Sequence, residues 1–481
     1  MIPTMRPRLR VHRPFNLWRI RPGNIILYWK KASPAQLFVS SFLLLIVLGT
    51  VGLKTLPGLY TGEPLNWLNA VFTATSAVCV TGLIVVDTAT YFTQWGQAFL
   101  LLLIQLGGLG IVSFASLVVA SFGGRLSLRQ QALSGSGGGV VPQVNVRKLT
   151  IDVFRFTFFI EAVGAVLLYL FWIPSLGWKG AAWPALFHSI SAFCNAGFST
   201  FSDSLMGYQH HVTVLLTMML LIVIGGLGFL TLEELKLWHR ARRTERKFRL
   251  TLHSQIVLFT TGILLVSGWV LYLVFEWNLT LSALPWWDKL NNALFMSVTA
   301  RTAGFNTIDY GSASESSNFL TLLLMSVGGS PGSTAGGMKT TTLALVLLIA
   351  WARMRGRSIV SLRGRSVPDQ IIQQAIGLVV VGLAVIIISV FVVSVSEDPG
   401  IPFSETGGNF LSQLFEIVSA FNTVGLSTGI TDQLNVSSRL ATIVVMFLGR
   451  VGPLVFASAL AARQPVAGDR FRFAYETVSI G

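Results

Sequence analysis

A chain of 481 residues that is 52% hydrophobic and only 11% charged, with a mean hydropathy of +0.67, is too apolar for a soluble protein and falls in the membrane class. Backbone polar groups cannot stay unpaired in lipid, and apolar runs of roughly 20 residues select helices over the alternating short segments of a barrel. The net charge of +15 reads either as a nucleic-acid arm or as cytoplasmic flanks of membrane spans, and its distribution along the chain favours the second.

Residues 1–34 are polar and basic (Arg6, Arg8, Arg10, Arg13, Arg19, Arg21, Lys30, Lys31) and precede a first apolar run at about 35–53, as a cytoplasmic anchor does. The stretch is too long for a cleavable signal. After a turn at Pro57-Gly58 comes Phe72–Leu83, FTATSAVCVTGL, and then an apolar run at about 94–122. The segment returns three times at intervals of about 110 residues: Phe187–Phe198 (FHSISAFCNAGF), Phe295–Phe305 (FMSVTARTAGF, one residue shorter) and Phe415–Leu426 (FEIVSAFNTVGL). Each opens on Phe, carries a Ser/Thr-Ala pair and ends with a Gly before Leu or Phe, at Gly82, Gly197, Gly304 and Gly425. Apolar runs flank the copies at about 150–173 and 211–238, 252–277 and 318–351, 370–395 and 438–462.

The expectation is an all-α polytopic membrane protein. Four tandem units of span, re-entrant pore helix and span, at 35–122, 150–238, 251–351 and 369–463, surround one central ion pore with pseudo-fourfold symmetry, and a tail at 464–481 follows. Basic residues gather in the links between units (Arg125, Arg129, Arg147, Lys148; Lys236 to Arg249; Arg353 to Arg365). The loops within units carry Glu63, Asp87, Asp203, Asp288, Asp309, Glu315, Glu397, Asp398, Glu405 and Asp432. By the positive-inside rule both termini are cytoplasmic. The acidic loops read equally well as ordinary solvated loops or as a ring that concentrates cations at a pore mouth. Cys79 and Cys194, at equivalent places, lack the company of a disulfide framework or metal site and are expected to pack where a helix ends.

A half-length helix that stops inside a membrane leaves carbonyls unpaired, which is tolerable only against protein, water or an ion. Gly lets the chain turn left-handed there, where other L-residues lose roughly 1–2 kcal/mol. One such Gly alone is best read as a helix-packing site; four at matching positions read as rings of carbonyl oxygens able to coordinate a dehydrated alkali cation. A second feature follows each Gly: GGLG at 107–110 and 225–228, GG at 328–329 and GRVG at 449–452. In two units these are packing or bending sites. In the third, Ser326 to Thr340, SVGGSPGSTAGGMKT, is too polar to face lipid, and a loosely packed loop against a water-filled cavity is expected. The same stretch narrowly misses a phosphate-binding loop, since Met338 intervenes between Gly337 and Lys339. Arg450 reads as mid-span, either capping a buried carbonyl or facing a pathway. Arg301 reads as a prop for its neighbours, His188 as a satisfied pore-helix histidine, and Glu161, Glu233, Glu234 and Glu416 as packing residues.

The four Gly-bearing segments, each between two spans over about residues 35–463, resemble the Trk/Ktr/HKT superfamily of potassium transport proteins, and within it the KtrB pore subunits most. A first span near residue 35 with no helix pair before it carries the KtrB likeness, and Gly at all four positions differs from the Ser of sodium-preferring plant-type members. The resemblance places a selectivity filter at Val80, Thr81, Gly82, Asn195, Ala196, Gly197, Thr302, Ala303, Gly304, Thr423, Val424 and Gly425. It places a gate at Gly328, Gly329, Ser330, Gly332, Ser333, Gly336, Gly337 and Lys339, with Arg450 beneath the pore. It also implies potassium as the transported ion, sodium either as an activator or as no part of the cycle, no organic cofactor, a homodimer in the plasma membrane, and a cytosolic ATP/ADP-binding regulatory ring of KtrA type. Membrane lipid is the other partner; nucleic acid is not one. A secondary cation-coupled transporter built from two related halves fits a fourfold repeat less well, and the other alternative, a sodium-permeable member of the same superfamily, would be suggested by a Ser where this chain has Gly82. A membrane enzyme would need clustered titratable groups at one depth, and no catalytic motif is present.

Overall fold

The computed structural model describes residues 34–122, 146–243, 249–357, 359–362, 365–400, 402, 408–453 and 455–456. The basic arm, Arg125, Arg129, Glu405 and the tail at 464–481 lie outside them. The described chain is helical apart from a small hairpin, Ser361–Leu362 (β1) against Arg365–Ser366 (β2).

In chain order the longer helices are α1 Pro34–Thr55, α2 Trp67–Cys79, α3 Gln94–Phe122, α4 Val146–Cys194, which is two helices joined at a kink where Gly177 stands at φ 71, α5 Val212–Gly226, α6 Phe229–Arg243, α7 Leu252–Glu276, α8 Trp286–Thr299, α9 Glu315–Met325, α10 Thr340–Met354, α11 Asp369–Glu397, α12 Asn409–Asn422 and α13 Val436–Val451. Polar side chains close the N-termini of several: Asn66 accepts from the Asn69 amide at 2.7 Å to start α2, and Asn435 from the Ser438 amide at 2.9 Å to start α13. Among the described residues, Ala35–Thr55, Ile151–Cys194, Leu252–Glu276 and Asp369–Glu397 are long and apolar enough to cross a membrane.

The surface is inverted relative to a soluble protein. Phe259, Val274, Ile387 and Phe391 are exposed, while Thr75, Ser76, Ser191, Asn292 and Ser419 are buried in the centre. The Phe that opens each repeat (Phe72, Phe187, Phe295, Phe415) and the Ala of each Ser/Thr-Ala pair (Ala77, Ala192, Ala300, Ala420) are fully buried. These residues set the pore-helix candidates α2, the end of α4, α8 and α12 around one centre. The helix after each copy packs on the next unit: α3 on α4, α5 on α8, α9 on α12, and α13 back on α2, which closes the circuit.

The recurring glycines explain how closely these elements approach. A methyl group added at Gly107, Gly225 or Gly449 would run into the carbonyl oxygen of Val78, Phe193 or Phe421, the last turns of the pore-helix candidates. Two apolar runs expected to be single spans are broken. At 211–238, α5 and α6 meet at 103°, where Gly228 stands at φ +82 with the Pro331 carbonyl where a side chain would be. At 438–462 the helix ends at Val451, and Gly452 follows at φ +87, so Arg450 lies in a last turn rather than mid-span. The break between α9 and α10 falls in the Gly-rich stretch where the sequence placed it.

Gly107→Ala and Gly449→Ala are expected to lower stability by about 1–3 kcal/mol or more, because a backbone carbonyl must move. Gly377→Ala, facing open space in α11, is expected to be neutral or stabilising. Thermal midpoints of the purified variants in detergent check the order.

Candidate functional site: four glycine segments at one point

Each pore-helix candidate ends in a left-handed turn, and the same bonds recur. In the first copy the Val80 amide bonds the Ala77 carbonyl at 3.1 Å and the Thr81 amide the Ser76 carbonyl at 2.8 Å. The second repeats this with Asn195 on Ala192 and Ala196 on Ser191, the fourth with Thr423 on Ala420 and Val424 on Ser419. The third copy, one residue shorter, joins its equivalent pair across one residue fewer, from the Ala303 amide to the Thr299 carbonyl at 3.0 Å.

The sequence placed left-handed backbone at the glycines alone, but each segment has two such residues. Val80, Asn195, Thr302 and Thr423 stand at φ 57, 58, 73 and 51, two positions before glycines at φ 93, 71, 81 and 91. For β-branched Val and Thr this conformation costs about 1–3 kcal/mol and persists only where the surroundings enforce it, as at functional sites. The Ser/Thr of each Ser/Thr-Ala pair supplies part of that enforcement. The Ser76 and Ser419 hydroxyls accept from the Gly82 and Gly425 amides at 3.1 and 3.0 Å; the Ser191 and Thr299 hydroxyls donate to the Phe198 and Phe305 carbonyls at 2.8 and 2.5 Å.

The four glycines then meet. A methyl group on Gly82 would lie 3.1 Å from the Cα of Gly197, one on Gly197 3.0 Å from that of Gly304, one on Gly304 3.2 Å from that of Gly425, and one on Gly425 3.0 Å from that of Gly82. The carbonyls of Thr81, Ala196, Ala303 and Val424 sit in the seams between neighbours. The cycle is closed, and its lining at this level is backbone.

On one side of the cycle lies a cavity of about 420 Å³ lined by all four glycines and the residues that follow them. Of the acidic residues in the loops, Asp87, Asp309 and Asp432 line it, and among the described residues no Lys or Arg does. Asp87 also bridges segments, accepting from Ser202 at 2.6 Å. Asp288 instead pairs with His210 at 2.7 Å, and Glu397 and Asp398 line a separate cavity.

On the other side lies the 326–339 loop. It does not have the sparse packing expected of it: Ser330, Ser333, Thr334 and Ala335 are buried, and its backbone is bonded at several points. Gly328 bonds Met338 at 2.8 Å, Ser330 bonds Gly226 at 2.9 Å, Thr334 bonds Gly225 at 3.2 Å, and Thr340 bonds Gly329 at 3.1 Å. Against the cycle, Asn195 donates to the Thr334 hydroxyl at 3.1 Å, Asn422 accepts from the Met338 amide at 3.2 Å, and Thr302 and Thr423 abut Gly328 and Gly336. Gly332 lies farther out, where its carbonyl accepts from Phe229, and Gly337 presses on Asn422.

Three cations hold this loop, the buried Arg301 and Arg450 and the half-buried Lys339. Arg450 donates to the carbonyls of Thr334 at 2.5 Å and Gly107 at 3.1 Å, Lys339 to Ala335 at 2.7 Å and Gly336 at 3.2 Å, and Arg301 to Gly328 at 3.3 Å. Arg450 thus caps buried carbonyls. Among the described residues none of the three has a carboxylate within ion-pair distance. Lys339 is folded onto its own loop, as a phosphate-binding lysine would not be.

Cys79 and Cys194 are free and buried at the last residues of α2 and α4. Glu161 joins α4 to α3 through Gln105 at 3.0 Å, Glu234 caps α7 through Thr251 at 2.9 Å, and Glu233 faces Lys236 at 4.0 Å. Glu416 accepts from the Thr431 hydroxyl, in the residues after Gly425.

Comparison with known proteins identifies the family and the fold. Residues 31–467 match the profile of the family described as TrkH, cation transport protein. The chain is 37% identical to the potassium/sodium uptake protein NtpJ of Enterococcus hirae over 94% of its own length and 98% of that protein. It is 38% identical to the Ktr system potassium uptake protein B of Bacillus subtilis over 91% and 95% of the two chains. Its fold matches the crystal structure of the potassium transporter TrkH from Vibrio parahaemolyticus with a TM-score of 0.68 at 19% identity, covering 95% of this chain and 87% of that one.

Proposed function

The chain belongs to the TrkH family of cation transport proteins, and from that premise we propose that it takes up potassium across the plasma membrane through the cycle of four glycine segments. One observation carries the reading: all four glycines line a single cavity that, among the described residues, holds three carboxylates and no Lys or Arg. A carboxylate-lined bowl concentrates cations, and four converging backbones offer carbonyl oxygens in place of a hydration shell. The C-terminal ends of α2, α4, α8 and α12 aim their negative dipole ends at the same place. In this reading the four units are related by pseudo-fourfold symmetry, the bowl faces outward, and both termini are cytoplasmic.

The 326–339 loop is the gate. Arg301, Lys339 and Arg450 gather positive charge on the path below the cycle, and in a low dielectric that charge opposes a cation. Because the loop is well bonded, opening breaks identifiable bonds and requires work from outside the chain. A cytosolic nucleotide-binding ring of KtrA type acting on a homodimer would supply it. Sodium enters the reading as an activator or second cargo, following the name of the Enterococcus relative.

Gly82→Ser and Gly304→Ser should each lower the preference for potassium over sodium by about tenfold, worth about 1.4 kcal/mol. Rubidium uptake with sodium competition, in cells lacking their own potassium uptake, is the check; unchanged preference in both variants would overturn the assignment. Arg450→Ala removes the bonds to Thr334 and Gly107 and one repelling charge, so the maximal rate should rise several-fold with apparent affinity and ion preference unchanged. A lost rate at normal membrane abundance would make Arg450 a structural support instead.

A further inference from the structure

The residue just after the opening Phe of each repeat is Thr73, His188, Met296 or Glu416, and the residue two after each glycine is Ile84, Ser199, Asn306 or Ser427. In the second and fourth copies these two positions bond each other, eleven residues apart in both cases. The Ser199 hydroxyl is 2.9 Å from His188 Nε2, and the Ser427 hydroxyl donates to Glu416. Both helix residues are buried at 0% and 1% exposure.

Each brace is itself fixed. His188 Nδ1 lies 2.8 Å from the Pro184 carbonyl, which can only accept, so Nδ1 carries the hydrogen and, in the neutral ring, Nε2 accepts from Ser199. Phe201 stacks on the imidazole at 4.9 Å, and its amide donates to the Ser199 hydroxyl at 3.0 Å. Glu416 accepts from the Thr431 hydroxyl at 3.1 Å on both carboxylate oxygens, while Ser427 accepts from the Gly429 amide at 2.9 Å. Ser199, Ser427 and Thr431 all line the cavity above the glycines. In the first copy the Thr73 hydroxyl has no partner among the described residues and Ile84 offers none; in the third, Met296 and Asn306 form no such bond. Following the order of contacts round the cycle, the braced copies stand opposite each other.

We propose that His188 and Glu416 are positioning residues. From behind, they hold the second and fourth glycine segments at the spacing that sets ion preference, without touching the ion. The proposal rests on the reading of the cycle as the ion path. It concerns what keeps that path from closing or widening at Ser199 and Ser427, where no backbone–backbone hydrogen bond is found among the described residues.

The experiment measures rubidium uptake against concentration, with sodium competition, in Glu416→Ala, Glu416→Gln, His188→Ala, Ser199→Ala and Ser427→Ala, at membrane abundance matched by a fluorescent tag. Losing hydrogen bonds to a buried carboxyl group is expected to raise the apparent KM and lower the rubidium preference of Glu416→Ala by about tenfold. Ser427→Ala should move in the same direction, and Glu416→Gln, which keeps one acceptor oxygen, should fall between it and the parent. His188→Ala and Ser199→Ala should match each other. Met296→Leu, at the unbraced equivalent position, should leave ion preference unchanged. If Glu416→Ala or His188→Ala fails to reach the membrane, the serine variants decide from the other end of the same bond. Unchanged preference and KM in both serine variants would overturn the proposal. Gly425→Ser separates the two ideas: if it shifts preference while the brace variants do not, only the braces fail, and if it too is silent, the reading of the path fails.

Discussion

Four stretches of backbone converge here to within the width of a methyl group, and the rest of the molecule is arranged to allow it. Every pairwise approach in the cycle leaves about 3 Å to the next Cα where a side chain would begin, so glycine is required by space as well as by backbone angle. The residues two positions earlier are also strained, and Val80, Thr302 and Thr423 bear that strain with β-branched side chains. What repays it is a set of short polar ties: the Ser/Thr hydroxyls within each repeat, the amide-to-carbonyl turns that end the helices, and the glycines of the following helices that let α3, α5 and α13 lie directly on those turns.

The two sides of the cycle are electrically opposite. One is a bowl with Asp87, Asp309 and Asp432; the other is closed by a loop tied by Arg301, Lys339 and Arg450, whose charges meet carbonyls rather than carboxylates. A buried charge answered only by backbone dipoles retains a long-ranged field, so in the proposed reading the tie that fixes the loop would also be the source of the barrier. Position and charge are therefore coupled. Anything that displaces the loop also moves positive charge relative to the cycle.

Much of this was legible in the sequence because repetition compounds weak signals. No single Phe, Ser-Ala or Gly is informative, but their recurrence located the pore-helix candidates and the point where they meet, and the polar 326–340 stretch located the break between α9 and α10. What the sequence concealed depends on contacts between distant positions. The left-handed conformation of Val80 and Thr423 is imposed by turn closure and has no residue-type signature. The burial of the loop comes from neighbours more than a hundred residues away, such as Phe193 and Gly225, whose carbonyls accept from Thr334 at 3.0 and 3.1 Å. The breaks after Gly226 and Val451 were missed because the runs remain apolar across them, and apolarity sets the environment of a segment without fixing its direction.

The claim on which the account depends is that a cation loses its water among the four glycines. Anomalous diffraction from crystals grown in thallium or rubidium, with matched sodium crystals, addresses it directly. The account predicts anomalous density on the axis of the cycle, ringed by the carbonyls of Thr81, Ala196, Ala303 and Val424 and weakened in sodium. A cycle without density, with the ions found elsewhere in the protein, would contradict it.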